Sequence, residues 1–551
     1  MVHCVALVAY ETPASPCGGI AAVLARLPKY IEKVTARPAL VISPLHHKIE
    51  RTTAMLPKMS KVGEVGVPSG RNMVMVDILR IDLEVPYYFL RPEDQRYFAG
   101  VKHPYDIDGP SLLRDSLFFG AAVARALRIL APHDTWLVAL QDWETATTAL
   151  ALAGQNHPHR LFVTLHNSYD CDVLDPELER VAIETDLCPG TSILDRAFRL
   201  VEHAVFTVSG QFARDLTSDI LQREIMAPHL QQHFGGRLIG VNNGPFIDCA
   251  VPRDLLADAQ AGIIEPLKEW KKDRRLAAHA ALKSLVSTEA EPVWGDPGKF
   301  ECDDAPWFVM AGRDDCRQKG YDVAAAAIEK FLFTGGKGRF LFFPIPGDEG
   351  LGGLGFLRRL AERYPDSVMV LPFRFRAGYF AALQGANFGV MPSLYEPFGM
   401  ANEFYLNGTI GIGRATGGIV EQVVPWRAAS SFSRAVESRA ERYHNLSSFP
   451  TGILYRERDN LPTAGYDWRA LNAARYDVSG EGHPDRVAER CEYPMYFSMV
   501  EELGLALGDG VRLLTEQPDL YYRMLVEGVG YIERTFSWER AAADYVRNME
   551  G

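Results

Sequence analysis

Short apolar runs recur along the whole chain. Each is followed by a loop carrying glycine or a polar residue, and then by a stretch with helical periodicity. Residues 5–9 form the first run, followed by Gly18-Gly19 and an amphipathic stretch over 20–34. Residues 73–82 alternate in strand fashion, and 85–90 read as the next strand. The pattern then predicts a helix over 112–130 and strands over 135–140, 161–165, 204–208 and 238–241. An alanine- and lysine-rich helix is expected over 267–286, and a polar connector with proline and glycine over 289–306. Further strands are expected over 307–311, 340–344, 368–371, 387–391 and 409–412. A polar loop or helical insert is expected over 425–448, and a strongly helical tail over 519–549. Strands separated by helices imply parallel, doubly wound sheets, and two such series imply two domains. The fold class expected is therefore α/β.

The stretch 391–424 is the most informative. Its first strand end leads to Glu396 and, seven residues later, Glu403. On one helix that spacing would put both carboxylates near one face, able to bind hydroxyls. The second strand end leads to Thr416, Gly417 and Gly418 before another helix. Such a glycine pair lets backbone amides approach an anion at a helix N-terminus. A site offering both binds a sugar on one side and a phosphate on the other, as a sugar nucleotide requires. Arg313 and Lys319, over the strand end at 307–311, can neutralise a diphosphate, Arg as a planar fork and Lys as a point charge.

These motifs resemble those of glycogen and starch synthases, which are retaining GT-B glycosyltransferases. The stretch S-x-x-E-P-x-G, here carrying Glu396, Pro397, Phe398 and Gly399, resembles their donor-site signature, as does R-x-T-G-G. The pair Glu396/Glu403 resembles the E-x7-E of other such enzymes, one residue shorter. Gly18 and Gly19 stand where the family has K-x-G-G-L, with Pro16 at the lysine position. Gln141-Asp142-Trp143 resembles H-D-W, with glutamine in place of histidine. His166-Asn167 resembles T-x-H-N, Asn243 the N-G turn, residues 451–455 T-G-F-x-F, and residues 536–539 the closing segment. The chain is thus identified as a divergent member of that family.

The resemblance implies two Rossmann-like domains facing a central crevice. Residues 1–255 would form the acceptor-side domain, 256–306 the passage between domains and 307–518 the nucleotide-sugar-binding domain. Residues 519–551 would return to the first domain. Glu396, His166, Arg313, Lys319 and Asp142 would be catalytic. The donor would be held by Gly18, Gly19, Asn243, Arg313, Lys319, Glu396, Pro397, Phe398, Gly399, Glu403, Thr416, Gly417 and Gly418. The implied reaction moves glucose from a nucleotide sugar, ADP-glucose favoured over UDP-glucose, to the non-reducing end of an α-1,4-glucan with retention. Two readings compete with it: a GT-B transferase with a small sugar, sugar-phosphate or polyol acceptor, and a catalytically weak scaffold or sensor. A third candidate is a GT-B sugar-nucleotide epimerase or a phosphorylase, but no lysine has the setting of a pyridoxal-phosphate Schiff base.

At 551 residues the chain has room for more than one core. Hydrophobic content of 47% and charged content of 23% are those of a globular protein. A net charge of -12 without basic runs argues against nucleic acid and polyanions as partners and suits a neutral polymer. Eight cysteines without a CxxC pair argue against structural zinc and for a reducing, cytoplasmic setting. The first apolar run lacks the basic flank of a signal peptide, and no run is long enough for a membrane span. Asp170-Cys171-Asp172 matches a D-x-D metal motif but reads as a solvated loop. No metal and no cofactor is expected, because two fixed cations can replace a metal ion at a diphosphate.

Overall fold

The computed structural model describes residues 2–347, 350–458, 461–473 and 490–551. It divides into two compact units: Met1–Phe246 with Phe536–Gly551, and Ile247–Thr535. The division comes before residue 255, and residues 256–306 pack within the second unit.

The first unit is built on a nine-stranded sheet. Its strands are β1 (Val2–Val8), β2 (Ala39–Pro44), β3 (Ser60–Ser69), β4 (Asn72–Asp82), β5 (Pro86–Pro92), β6 (Thr135–Gln141), β7 (Arg160–Leu165), β8 (Val205–Thr207) and β9 (Leu238–Gly240). Their order is β3-β4-β5-β2-β1-β6-β7-β8-β9. From β5 to β9 neighbours run parallel, while β3, β4 and β5 pair antiparallel. The sequence pattern follows this division. β2 is buried at every position, as a parallel strand covered on both faces must be, whereas β4 alternates between core and solvent.

The second unit holds a six-stranded, all-parallel sheet of β10 (Trp307–Arg313), β11 (Arg339–Ile345), β12 (Val368–Val370), β13 (Phe388–Met391), β14 (Ile410–Arg414) and β15 (Ile453–Tyr455). Its order is β12-β11-β10-β13-β14-β15. The strand order reverses between β1 and β6 in the first unit and between β10 and β13 in the second. At such points the loops leaving adjacent strand ends diverge and open a ligand crevice within the unit.

Three segments lie differently from their sequence reading. The connector 289–306 is part of the second unit: Trp294 exchanges two backbone hydrogen bonds with Val370 on the edge strand β12. The expected insert at 425–448 is also tied in, with a helix at Arg434–Ala440 and the Ser431 amide donating to the buried Asp509. The helical tail is two helices, Pro518–Thr535 and Trp538–Glu550, and only the second packs with the first unit. There Trp538, Tyr545 and Met549 join the core beneath β1 and β2, and the Trp538 indole donates to the Pro245 carbonyl at 2.7 Å. Among the described residues no helix is long and apolar enough to cross a membrane.

Candidate functional site

Each unit carries a cluster of polar side chains at its own switch point. In the first unit Glu11, a residue the sequence reading passed over, lies in the loop three residues after β1. Its carboxylate is buried (1% exposed) and accepts from the amides of Cys17 at 2.8 Å, Gly18 at 2.7 Å and Ala21 at 3.0 Å. Burial raises this carboxyl above its usual range, with the amides pulling the other way. The expectation that the Gly18 amide meets a diphosphate is therefore corrected: that donor is already engaged by an internal anion. The signal in the sequence was a carboxylate between a buried strand and a glycine pair.

Asp142 follows directly on β6 and takes the left-handed conformation at φ +59°. Its Oδ1 accepts from the His166 amide at 2.6 Å, and its Oδ2 from the Asn167 side-chain amide at 3.2 Å. Asp142 thus fixes the loop leaving β7. The His166 ring Nε2 lies 2.8 Å from Gln141 Oε1. An amide oxygen only accepts, so Nε2 carries the proton. Burial lowers His166 to about 4, so the ring is neutral at ordinary pH. Burial, with the Glu11 charge nearby, pushes Asp142 up to about 7. Glu144, in the first turn of the helix Asp142–Leu152, is raised further by burial and by Asp142. Asn243 follows β9 and is buried, its side-chain oxygen lacking a hydrogen-bond partner among the described residues.

Asp170 is not a solvated loop residue. Its side chain is 5% exposed, accepts from the Leu194 amide and bonds His229 at 2.9 Å. Among the described residues no group of three or more His, Cys, Asp or Glu side chains is arranged to hold a metal.

In the second unit Arg313 closes β10 and Lys319 follows in the same loop. Lys319 Nζ donates to Glu396 Oε2 at 2.6 Å, and the buried Ser393 hydroxyl donates to the same oxygen at 2.8 Å. The Leu394 amide donates to the Gln318 carbonyl at 2.7 Å, so the loops after β10 and β13 are joined at backbone and side chain. Arg414, at the end of β14, holds them from below. Fully buried, it donates to the Leu394 carbonyl and pairs with Glu457. Burial alone would raise the Glu457 carboxyl, but Arg414 and Arg456 outweigh it and hold it down to about 2.

Two expectations about this cluster are corrected. Glu396 and Glu403 do not share a helix: Glu396 lies in the loop with Pro397, Phe398 and Gly399, and the helix begins only at Ala401. Glu403, in its first turn, faces Tyr379, whose hydroxyl is raised to about 12 by burial and by that carboxylate. The Gly418 amide is not presented to a ligand either; it donates to the Glu396 carbonyl at 3.1 Å. Thr416-Gly417-Gly418 instead forms the bed on which the Glu396 loop rests. Gly417 has φ +44°, and a Cβ there would lie 1.5 Å from the Glu396 carbonyl oxygen, so only glycine fits.

Residues 4–228 match the family model described as the starch synthase catalytic domain. A glycogen synthase of Thermosipho melanesiensis is 32% identical over 146 residues, covering 26% of this chain and 28% of that protein. The glycogen synthase of Kosmotoga olearia is 24% identical over 446 residues, covering 76% and 82%. Among solved structures, the catalytic domain of starch synthase IV from Arabidopsis thaliana, bound to ADP and acarbose, superposes with a TM-score of 0.61 at 18% identity. That match covers 95% of this chain and 99% of the plant one. Sucrose-phosphate synthase from Thermosynechococcus elongatus gives 0.51 at 16% identity, covering 99% and 98%.

Proposed function

We infer the reaction from the premise that this chain is a glycosyltransferase of GT-B fold homologous to the glycogen and starch synthases. We propose that it transfers glucose from a nucleotide sugar to the non-reducing end of an α-1,4-glucan, with retention at the anomeric carbon. The observation that carries this reading is the Lys319–Glu396–Ser393 cluster at the β10/β13 switch point. It supports the reading because one cation and one carboxylate stand side by side, as binding a diphosphate and a sugar requires. ADP-glucose is favoured over UDP-glucose, in keeping with the ADP bound by the Arabidopsis neighbour.

In this reading Lys319 and Arg313 neutralise the charge that develops on the leaving diphosphate. Glu396 exchanges its bond to Lys319 for the sugar hydroxyls, and Ser393 keeps its carboxylate aimed during that exchange. Glu403 takes the ribose hydroxyls. Asp142 fixes the His166 peptide, whose carbonyl steadies the positive charge at the anomeric carbon, while the neutral ring binds the 6-hydroxyl side of the sugar. Asn243 offers its unpartnered oxygen to the same sugar. No covalent nucleophile is invoked; the leaving phosphate takes the acceptor proton. No metal is required, since Arg313 and Lys319 supply the positive charge.

A small sugar or sugar phosphate as acceptor is the second reading. Pro16 and Gln141 favour it, standing where the resemblance has lysine and histidine. One experiment separates the readings: nucleotide release from ADP-glucose and UDP-glucose, with glycogen or small sugars and sugar phosphates, in EDTA. Release that depends on glycogen and survives EDTA is expected. Release only with a small acceptor moves the assignment to the second reading. Tight nucleotide binding without release to any acceptor overturns both.

A further inference from the structure

The loop leaving β7 is held at both ends. At its start Asp142 accepts from the His166 amide at 2.6 Å and from the Asn167 side chain at 3.2 Å. The Asn167 oxygen accepts from the Tyr169 amide at 2.7 Å, which closes the backbone into a turn. At the far end stands Asp170, with a side chain only 5% exposed. Its Oδ1 accepts from the Cys171 amide at 2.8 Å and from the Leu194 amide at 3.0 Å, the latter in the first turn of the helix Ile193–Leu200. Its Oδ2 lies 2.9 Å from the His229 ring Nε2. A carboxylate only accepts, so Nε2 carries the proton.

His229 belongs to a strap of chain, 219–234, that lies against this loop. The strap begins with a π turn over Leu221–Met226, in which the Ala227 amide donates to the Gln222 carbonyl at 2.8 Å. Such wide turns are rare and are frequent at functional sites. The Ser168 hydroxyl, inside the loop, lies 3.8 Å from the Met226 sulfur. A second histidine, His233, bonds Asp195 on the neighbouring helix at 2.7 Å, and Leu221, Leu230 and Phe234 are buried. The strap is therefore docked on the unit by contacts other than His229. The hydrogen bond to Asp170 raises the His229 ring above its ordinary value although burial opposes it, and the charges of Asp170, Asp195 and Asp172 act in the same direction as the bond. The charged ring, which makes the stronger bond to a carboxylate, is thereby favoured.

We propose that His229 is a positioning residue for sugar transfer: through Asp170 it clamps the far end of the loop whose near end carries His166. The inference rests on the reading that the His166 peptide faces the transferred sugar. A loop this short, pinned by Asp142 at one end and by His229 at the other, cannot tilt without breaking an anchor. The aim of the His166 carbonyl is then set from both sides. Aim matters, since a misplacement of about 1 Å can cost about a hundredfold in rate.

The test compares the full-length wild type with His229→Gln and His229→Ala. Glutamine keeps an N–H donor for Asp170; alanine removes it. Hydrogen–deuterium exchange is read on peptides covering 165–173, and kcat and ADP affinity are measured with the acceptor that the wild type uses. In His229→Ala exchange over 165–173 should quicken at least tenfold while the second unit is unchanged. Its kcat should fall at least tenfold with ADP affinity within twofold of wild type, and His229→Gln should restore most of both losses. Unchanged exchange in His229→Ala overturns the clamp. Faster exchange with kcat within twofold of wild type overturns its role in transfer. A glutamine variant as impaired as wild type lacking the ring altogether, whether or not His229→Ala folds, overturns the hydrogen bond as the cause. A wild type that transfers sugar to no acceptor overturns the reading of His166 and the positioning role with it, while exchange still decides the clamp.

Discussion

Lys319 and Glu396 are held against each other, and each has a different proposed partner on the donor. Replacing Lys319 by alanine removes one charge-stabilising donor and should lower kcat by on the order of a hundredfold. A loss of only a few-fold would leave Lys319 a structural cation. Glu396→Ala should lower turnover far more than donor affinity, read as a split between kcat and the nucleotide-sugar dissociation constant. Unchanged turnover would remove Glu396 from the catalytic set. In the first unit Asp142 and His166 respond to pH with opposite signs. Asp142 is raised on folding to about 7, so the folded chain holds a proton that the unfolded chain has released. Its contribution to stability therefore falls as pH rises from about 4 to about 7. His166 is lowered to about 4, so its contribution rises with pH from about 4 to about 6.5. The stability difference between wild type and Asp142→Asn, from urea melts across that range, should shrink as pH rises. A pH-independent difference would show that Asp142 is ionised throughout.

Elements are placed here by buried polar groups as much as by apolar faces. The helix Glu265–Lys283 is docked by Lys271, whose ammonium donates to the carbonyls of Gln384, Ala386 and Gly408. Burial, with Arg275 close by, pushes this lysine well below its usual range. Lys271→Ala would leave the Gln384 and Gly408 carbonyls without that donor, the Ala386 carbonyl keeping the Thr409 hydroxyl, at about 1–3 kcal/mol for each such group. Denaturant unfolding of the second unit should therefore shift by several kcal/mol or lose cooperativity. A shift within about 0.5 kcal/mol would mean that water replaces the ammonium. From the sequence this run read as an alanine- and lysine-rich helix within the passage between domains. Only the fold shows that Lys271 is turned inward. Glu396 and Glu403 make the same point: their spacing suited one helix, but the helix starts at Ala401, after Pro397 and Gly399.

At the scale of the whole molecule the last sixteen residues belong with the first unit, though the chain reaches them from the second. Trp538, Ala541, Ala542, Tyr545, Val546 and Met549 complete the core beneath β1 and β2. Truncation after Thr535 exposes that core, whereas the contacts within Ile247–Thr535 remain whole. Limited proteolysis of the truncated chain should cut residues 1–246 rapidly and leave the second unit protected. Equal protection of both units would show that the tail helix is dispensable.

The amino-acid sequence by itself determined the alternation of strand and helix, the parallel core of two sheets and the strand ends that carry polar residues; it did not show that β3, β4 and β5 pair antiparallel. Parallel strands covered on both faces are mostly apolar, and a positive φ such as that of Gly417 calls for glycine, so these features are written locally. It also pointed to Glu396, Lys319, Asp142 and His166, whose spacings from strand ends are fixed by one loop each. The tertiary structure decided what those residues touch. Glu11 closes over the Gly18 amide, Gly417-Gly418 underlies the Glu396 loop, and Arg414 turns inward to Glu457. The Glu11 contact closes within one loop, but the other two join segments whose approach depends on the packing of whole strands, and no local pattern records them.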